Sequence, residues 1–427
     1  MDQNSSAIAQ ALDSLIQQAH IHYHPQWQPS PQLPEKPLIL PQTEETLAKV
    51  CAIAQQQQWS IFPCGNGSKA TWGGLPSKID CYLSTGHLNQ IIDHAVGDLT
   101  VTVQGGITLA ELQQQLQPHN QFLPLDPAYP DTATLGGIVA TADAGSWRER
   151  YGGVRDLLIG ISFVRADGEI AKAGGRVVKN VAGYDLMKLF TGSYGTLGII
   201  TQLTFRTYPL PPASATVAFI GDIEKIAQMA QALRNSSFTP TRADLLSASV
   251  VKKLNLGDGC GLMIQFETIP ESIEKQIEDL SAIAQSLALN ITQFQENDEK
   301  SLWDQLKSLT SVSPDNSGIT CKIGLLPSAI ARFLSQLPAE NYAIIHNKTG
   351  LGKLILTADQ SISHLNKMRN LCQENKGFLT ILEAPDTVKK EIDPWGYTGN
   401  ALTMMKKIKQ QFDRNNQFSP NRFVGGI

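Results

Sequence analysis

Charge is scarce in this sequence and nearly balanced. Only 17% of the 427 residues are Asp, Glu, Lys or Arg, and the formal net charge at pH 7 is −4. No broad basic field is available to draw in nucleic acid or an anionic membrane, so a nucleic-acid partner is not expected. Long apolar runs are missing too. No window offers about 18 consecutive apolar residues, the length of a membrane-crossing helix, and no transmembrane segment is expected. The opening stretch MDQNSSAIAQALDSLIQQAH lacks both the basic start and the unbroken apolar core of a secretion signal. The expected location is therefore cytoplasmic, with any contact to the inner membrane made through partners. The six cysteines, Cys51, Cys64, Cys81, Cys260, Cys321 and Cys372, are dispersed and form no CxxC pair. That dispersal excludes a compact thiolate set for an iron–sulfur cluster on this chain, and disulfides are not expected. His20, His22 and His24 alternate along a proline-rich stretch, but no fourth ligand lies nearby, so no metal site is expected.

What is present is a globular composition, 42% hydrophobic, long enough for two or three domains. Residues 1–36 read as an N-terminal helix followed by an extended, proline-rich lead-in. From Pro41 the pattern becomes regular. Thr43 with Glu44 and Glu45 starts a helix whose apolar face carries Leu47, Val50, Cys51 and Ala54. A short strand at 60–63 then enters a glycine loop, and a second strand is expected near 79–84. LTVTVQGG reads as a buried strand, ITLAELQQQLQPHN as a helix stopped near Pro118, and residues 199–207 as a strand of period two. The cluster Tyr208-Pro209-Leu210-Pro211-Pro212 marks a domain boundary. Beyond it, residues 213–405 alternate short strands with amphipathic helices, a second α+β domain.

Three glycine-bearing segments stand out. Gly65-Asn66-Gly67-Ser68-Lys69-Ala70 fits the dinucleotide pattern GxGxxG/A formally, but it runs on into Thr71-Trp72-Gly73-Gly74-Leu75-Pro76, which cannot begin a helix. A Rossmann loop requires that helix, and a nucleotide-triphosphate loop requires a different spacing before its lysine. Convergent backbone N–H groups can still form an anion nest here, with Ser68 as a further donor and Lys69 as a nearby positive charge; a plain tight turn is the competing reading. The second segment joins Leu123-Pro124-Leu125-Asp126-Pro127 to Thr134-Leu135-Gly136-Gly137-Ile138-Val139-Ala140-Thr141, with small residues up to Gly145 that allow close approach of an extended ligand. The third runs from Gly174 through Lys179-Asn180-Val181-Ala182-Gly183-Tyr184 to Gly192-Ser193-Tyr194-Gly195-Thr196-Leu197-Gly198, and its last glycine opens a strand.

Taken in order, Pro63-Cys64-Gly65-Asn66-Gly67-Ser68, then LPLDP…TLGGIVAT, YGGVRD and VVKNVAGYDL…GSYGTLGIIT, these segments resemble the FAD domain of the vanillyl-alcohol oxidase (PCMH-type) family. The resemblance spans about residues 37–210. It implies an α+β fold in which a PCMH-type FAD-binding domain of two α+β subdomains (37–212) precedes a smaller α+β cap (213–405), with a C-terminal tail (406–427) returning to the flavin domain. It implies FAD contacts at Pro63, Gly65, Asn66, Gly67, Ser68, Lys69, Asp126, Leu135, Gly136, Gly137, Thr141, Gly145 and Gly152. Gly198 is a further contact, Ile199 and Ile200 lie beside the adenine-side strand, and Lys179, Tyr184 and Arg422 are open as flavin contacts or as packing. No histidine lies between Cys64 and Gly86, so non-covalent FAD is expected.

KNVAGYDL narrows the resemblance to the E-type FAD-binding component of glycolate oxidase, with the D-type component and the lactate dehydrogenase flavoproteins as its relatives. The ending Phe412-Asp413 … Phe418-Ser419-Pro420-Asn421-Arg422 is similar to that family's tail, with Arg414 and Asn421 where Pro and Gly are usual. The resemblance implies a small 2-hydroxy-acid substrate, a paralogous flavoprotein partner and an iron–sulfur partner. Catalytic relatives carry an HxGDGNxH-type segment in the second domain. Its nearest counterpart here, His346-Asn347-Lys348-Thr349-Gly350-Leu351-Gly352, keeps one histidine and lacks the acid and the second histidine. His346 is thus either the base of the reaction or a structural residue at a strand end, and the chain is either the dehydrogenase itself or a non-catalytic FAD-containing subunit.

Overall fold

A computed structural model of the protein describes residues 3–175, 183–309, 318–356 and 361–427. The chain divides into two compact units, one formed by residues 1–144, 153–210 and 397–427, the other by residues 145–152 and 211–396.

The first unit holds two main sheets. One has four strands in the order Ile21–Trp27, Lys36–Pro41, Cys81–Ser84, Ile61–Cys64. Its last three strands are parallel neighbours, and the helix Glu44–Gln56 links Lys36–Pro41 to Ile61–Cys64. Thr43 caps that helix by accepting from the Thr46 N–H, and Leu47, Val50, Cys51 and Ala54 are buried. Residues 20–41, expected as an extended lead-in, instead form an antiparallel hairpin, with Ile21 facing Pro41 and His24 facing Leu38. Pro25 is tolerated because its strand lies at the sheet edge, and the register shifts between His24 and Trp27. The second sheet is antiparallel, in the order Ile91–Ala95, Thr100–Gln104, Ile199–Arg206, Leu158–Val164, Ile170–Gly174. Glu44 is buried among these strands, and its carboxylate accepts from the hydroxyls of Ser162, at 2.5 Å, and Thr201. The C-terminal segment completes the unit: Ile61 N–H donates to the Gln417 carbonyl at 2.8 Å, and Ser419 N–H donates back to Ile61 at 2.9 Å.

The second unit is built on one antiparallel sheet of eight strands. Their order is Asn290–Gln295, Ala213–Gly221, Cys260–Thr268, Arg242–Leu246, Tyr342–His346, Leu351–Leu356, Ile319–Gly324, Phe378–Glu383. Alternation along each strand sends side chains to two apolar layers. Ala243, Leu245, Ala343 and Ile345 join the core under the helices Ile223–Arg234, Pro270–Ser286 and Ile362–Glu374. Leu246 and Ile344 face the opposite layer, with Val250, Leu302 and Trp303 of the helices Ala248–Lys253 and Glu296–Ser308. Asp244 and His346 share that second face and are paired directly across neighbouring strands.

Candidate functional site

In the first unit a cleft opens where the strand Ile61–Cys64 ends. Its walls come from residues 62–70, from 133–141, from 194–200 and from the tail, and it encloses about 690 Å³ of space not filled by protein atoms, part of it open to solvent. The loop after Cys64 continues as turns rather than a helix, as its sequence requires. Two glycines are imposed by geometry. A Cβ at Gly65 would sit 2.1 Å from the Thr134 hydroxyl, and Gly67 has φ +79°, a left-handed conformation that side chains resist. Thr134 in turn caps the short helix Leu135–Thr141 by accepting from the Gly137 N–H at 3.3 Å. The two glycine segments are therefore fitted to one another directly.

Electrostatics inside the cleft differ from the sequence expectation at Lys69. Its ammonium lies 2.8 Å from the Asp143 carboxylate, both side chains being buried, so its charge is compensated within the protein. The Ala128 N–H also donates to Asp143, at 2.8 Å. Arg422 is buried, and its guanidinium donates to the carbonyls of Lys69, Ala70, Trp72 and Tyr194 at 3.1–3.3 Å while lying 4.4 Å over the Phe62 ring. Burial lowers its pKa to about 10, which still leaves it charged at neutral pH. The tail thus ties together the loop after Cys64 and the turn at Tyr194. Burial also raises the Cys64 thiol to about 12 and the Tyr194 phenol higher still, so neither ionises near neutrality.

Of the residues expected to touch cofactor, Pro63, Gly65, Asn66, Gly67, Ser68, Lys69, Gly136, Gly137, Thr141, Gly198, Ile199, Ile200 and Arg422 line this cleft together. Leu135 is fully buried in the core, and Asp126 lies outside the lining, its N–H bonded to the Ala144 carbonyl at 3.2 Å. Tyr184 is 89% exposed and does not line the cleft. Gly145 and Gly152 fall in the second unit, and Lys179 lies outside the described residues. Sequence reasoning missed Thr85, Thr134, Tyr194 and Gly195 as lining residues. The motif GSYGTLG contained Tyr194 and Gly195, whereas Thr85 carries no local signal.

The second unit presents a polar cluster around His346. Its Nδ1 is 2.7 Å from Asp244 Oδ1, and Ser146 Oγ donates to Asp244 Oδ2 at 2.5 Å. Asp244 is fully buried, while the His346 side chain is 13% exposed and so still reachable. Glu149, on the short helix Arg148–Tyr151, accepts from the Lys348 N–H at 3.4 Å. Burial, reinforced by the Asp244 charge, raises Glu149 to about 7 despite opposing contributions from Lys348 and His346. Arg234 donates to Asn347 Oδ1 at 2.5 Å, and Arg242 lies between the rings of Trp147 and Trp303, 4.4 Å from each. None of Asp244, Ser146 and Glu149 was marked by the sequence as a site residue.

Comparison with known proteins assigns the class. Residues 36–174 match the family described as FAD binding domain. The whole chain superposes on p-cresol methylhydroxylase with a TM-score of 0.76 at 14% identity, covering 99% of this chain and 97% of that one. The protein therefore has the α+β fold of the PCMH-type flavoproteins, and its cofactor is FAD. Among curated relatives, glycolate oxidase subunit GlcD of Bacillus subtilis is 30% identical over 268 residues, 61% of this chain and 56% of that one. Glycolate oxidase subunit GlcE of Escherichia coli is 38% identical over 158 residues, 36% of this chain and 43% of that one. A mitochondrial D-lactate dehydrogenase [cytochrome] of Arabidopsis thaliana is 26% identical over 415 residues, covering 91% of this chain and 73% of that one. The chain thus spans about half the length of the two glycolate oxidase subunits it matches. Among the described residues, no helix is long and apolar enough to cross a membrane.

Proposed function

We propose that this chain is the FAD-binding subunit of a 2-hydroxy-acid dehydrogenase of the glycolate type, holding FAD non-covalently in the glycine-lined cleft. The observation that carries the reading is the convergence of four separate segments, 62–70, 133–141, 194–200 and Arg422, on one cleft within the unit that holds most of the residues matched to the FAD binding domain. The cradle fits the cofactor chemically: Gly65, Gly67, Gly136 and Gly137 line it without side chains, Ser68 adds a hydroxyl, and the walls are largely apolar. Among the described residues no histidine lines the cleft, and the one thiol there, Cys64, is held neutral, which favours a non-covalent site.

Oxidation of a 2-hydroxy acid to a 2-oxo acid releases a hydride, which FAD accepts when bound, and a hydroxyl proton, which needs a base. We assign that proton to His346, whose Nε2 is left over once Nδ1 is engaged by Asp244. The names of the relatives support glycolate or D-lactate as substrate class and, through the word subunit, an assembly of several chains; a paralogous flavoprotein and an iron–sulfur subunit as the partners that carry electrons onward rest on the sequence resemblance. A second reading, a non-catalytic FAD-containing subunit, is favoured by the sequence 346–352, which lacks the acid and second histidine of catalytic relatives.

The absorption spectrum of the purified chain, before and after anaerobic glycolate or D-lactate, separates these readings. Flavin bands that bleach support a self-sufficient dehydrogenase half-reaction. Flavin bands that stay oxidised support the non-catalytic subunit, and purified protein that takes up no flavin overturns the proposal.

A further inference from the structure

We infer that Asp244 is the positioning residue for His346: with Ser146 it forms a buried clamp that fixes the imidazole with its proton on Nδ1 and presents Nε2 as the basic nitrogen. This rests on the reading of His346 as the proton acceptor. The argument begins with valence. An ionised carboxylate only accepts hydrogen bonds. Asp244 is fully buried and is approached by two groups, the Ser146 hydroxyl at 2.5 Å and His346 Nδ1 at 2.7 Å. Both must therefore donate, which places the neutral ring's proton on Nδ1 and the lone pair on Nε2. Ring orientation and tautomer are set by one contact, as in any carboxylate–imidazole pair that prepares a base.

The fold makes the contact rigid. Asp244 and His346 face each other across adjacent antiparallel strands, on the same face of the eight-stranded sheet. Ser146 belongs to residues 145–152, an excursion of the chain into the second unit. The charged groups around the pair include Glu149 from the same excursion, Lys348 from the turn after the His346 strand, Arg234 from the helix Ile223–Arg234, and Arg242, two residues before Asp244 on its strand and stacked on Trp147. Glu149, raised to about 7 by burial and by the Asp244 charge, is the neighbour whose titration falls within the range of a pH profile.

The test uses the full chain with FAD, labelled with 15N-histidine, the His346 signals being assigned by their loss in His346→Asn. The expected wild-type spectrum near neutral pH shows the Nδ1–H form with an unprotonated Nε2. In Asp244→Asn, whose amide can donate, the ring shifts toward the Nε2–H form. The rate of flavin reduction by an acid that reduces the wild type falls about 10²–10⁴-fold, the usual contribution of a positioned base, with FAD retained. Ser146→Ala gives a smaller loss, about tenfold or less, and moves the rising limb of the pH–rate profile without changing flavin content. An Nε2–H ring in the wild type, or reduction by Asp244→Asn at the wild-type rate, overturns the inference. Should Asp244→Asn not fold, the wild-type tautomer and Ser146→Ala decide. If no 2-hydroxy acid reduces the wild-type flavin, the proposed activity fails, and the tautomer alone still confirms or refutes the clamp.

Discussion

At the scale of single residues, the cleft is decided by where side chains are absent. A Cβ on Gly137 would meet only the Thr134 hydroxyl, at 3.2 Å, and Gly137 lines the cleft. Its backbone needs no left-handed φ, so the position is defined by space rather than by strain. Gly137→Ala should therefore fold and keep FAD, whereas Gly137→Trp should fold and lose it, since the ring would occupy the ligand's approach. Flavin absorbance per mole of purified protein, with circular dichroism as the control for folding, checks both. Yellow, FAD-loaded Gly137→Trp would place the cofactor elsewhere. Arg422 works in the opposite way, by what its head reaches. Four carbonyls share its planar donors, a pattern lysine cannot reproduce with a point charge.

At the scale of elements, the excursion 145–152 behaves as a charged insert with its own pH dependence. Glu149 has a folded value of about 7 against an ordinary 4.5, because burial and Asp244 disfavour its charge. A raised value means that its contribution to stability is fully present below about 4.5 and is lost as pH rises through 7. Solvent screening leaves this contribution at about 1–2 kcal/mol. The denaturation midpoint of the wild type should fall between pH 5 and pH 8 by more than that of Glu149→Gln, measured by urea melts across that range; equal slopes would show that Glu149 titrates normally. Elements of this kind were poorly legible in the sequence. The helix after Thr43 and the strand ending in Arg206 could be read because their signals are local: a cap residue, a period of 3.6, a period of two. The hairpin Ile21–Trp27 with Lys36–Pro41 was hidden by its prolines, which an edge strand tolerates. The glycine segments showed most of the cleft because a close-approach glycine leaves a mark in the sequence. Asp244 leaves none, since its meaning depends on register with a strand about 100 residues away and on Ser146 about 100 residues in the other direction.

At the scale of the whole molecule, the glycine-lined cleft and the His346 cluster belong to two compact units with separate cores. A ligand confined to the first unit's cleft stabilises the segments that line it, by about 2.7 kcal/mol when present at 100 times its dissociation constant. Hydrogen exchange should then slow on adding FAD to flavin-stripped protein in peptides covering 62–70, 133–141 and 194–200, which lie far apart in sequence yet share one wall. The interior strands Cys260–Thr268 and Ile319–Gly324 contribute to the core of the second unit and should exchange at unchanged rates. Protection limited to one of the three lining segments would mean that the cleft holds only part of the cofactor. Equal protection in these two strands would mean that FAD stabilises the chain as a whole rather than the segments that line the cleft.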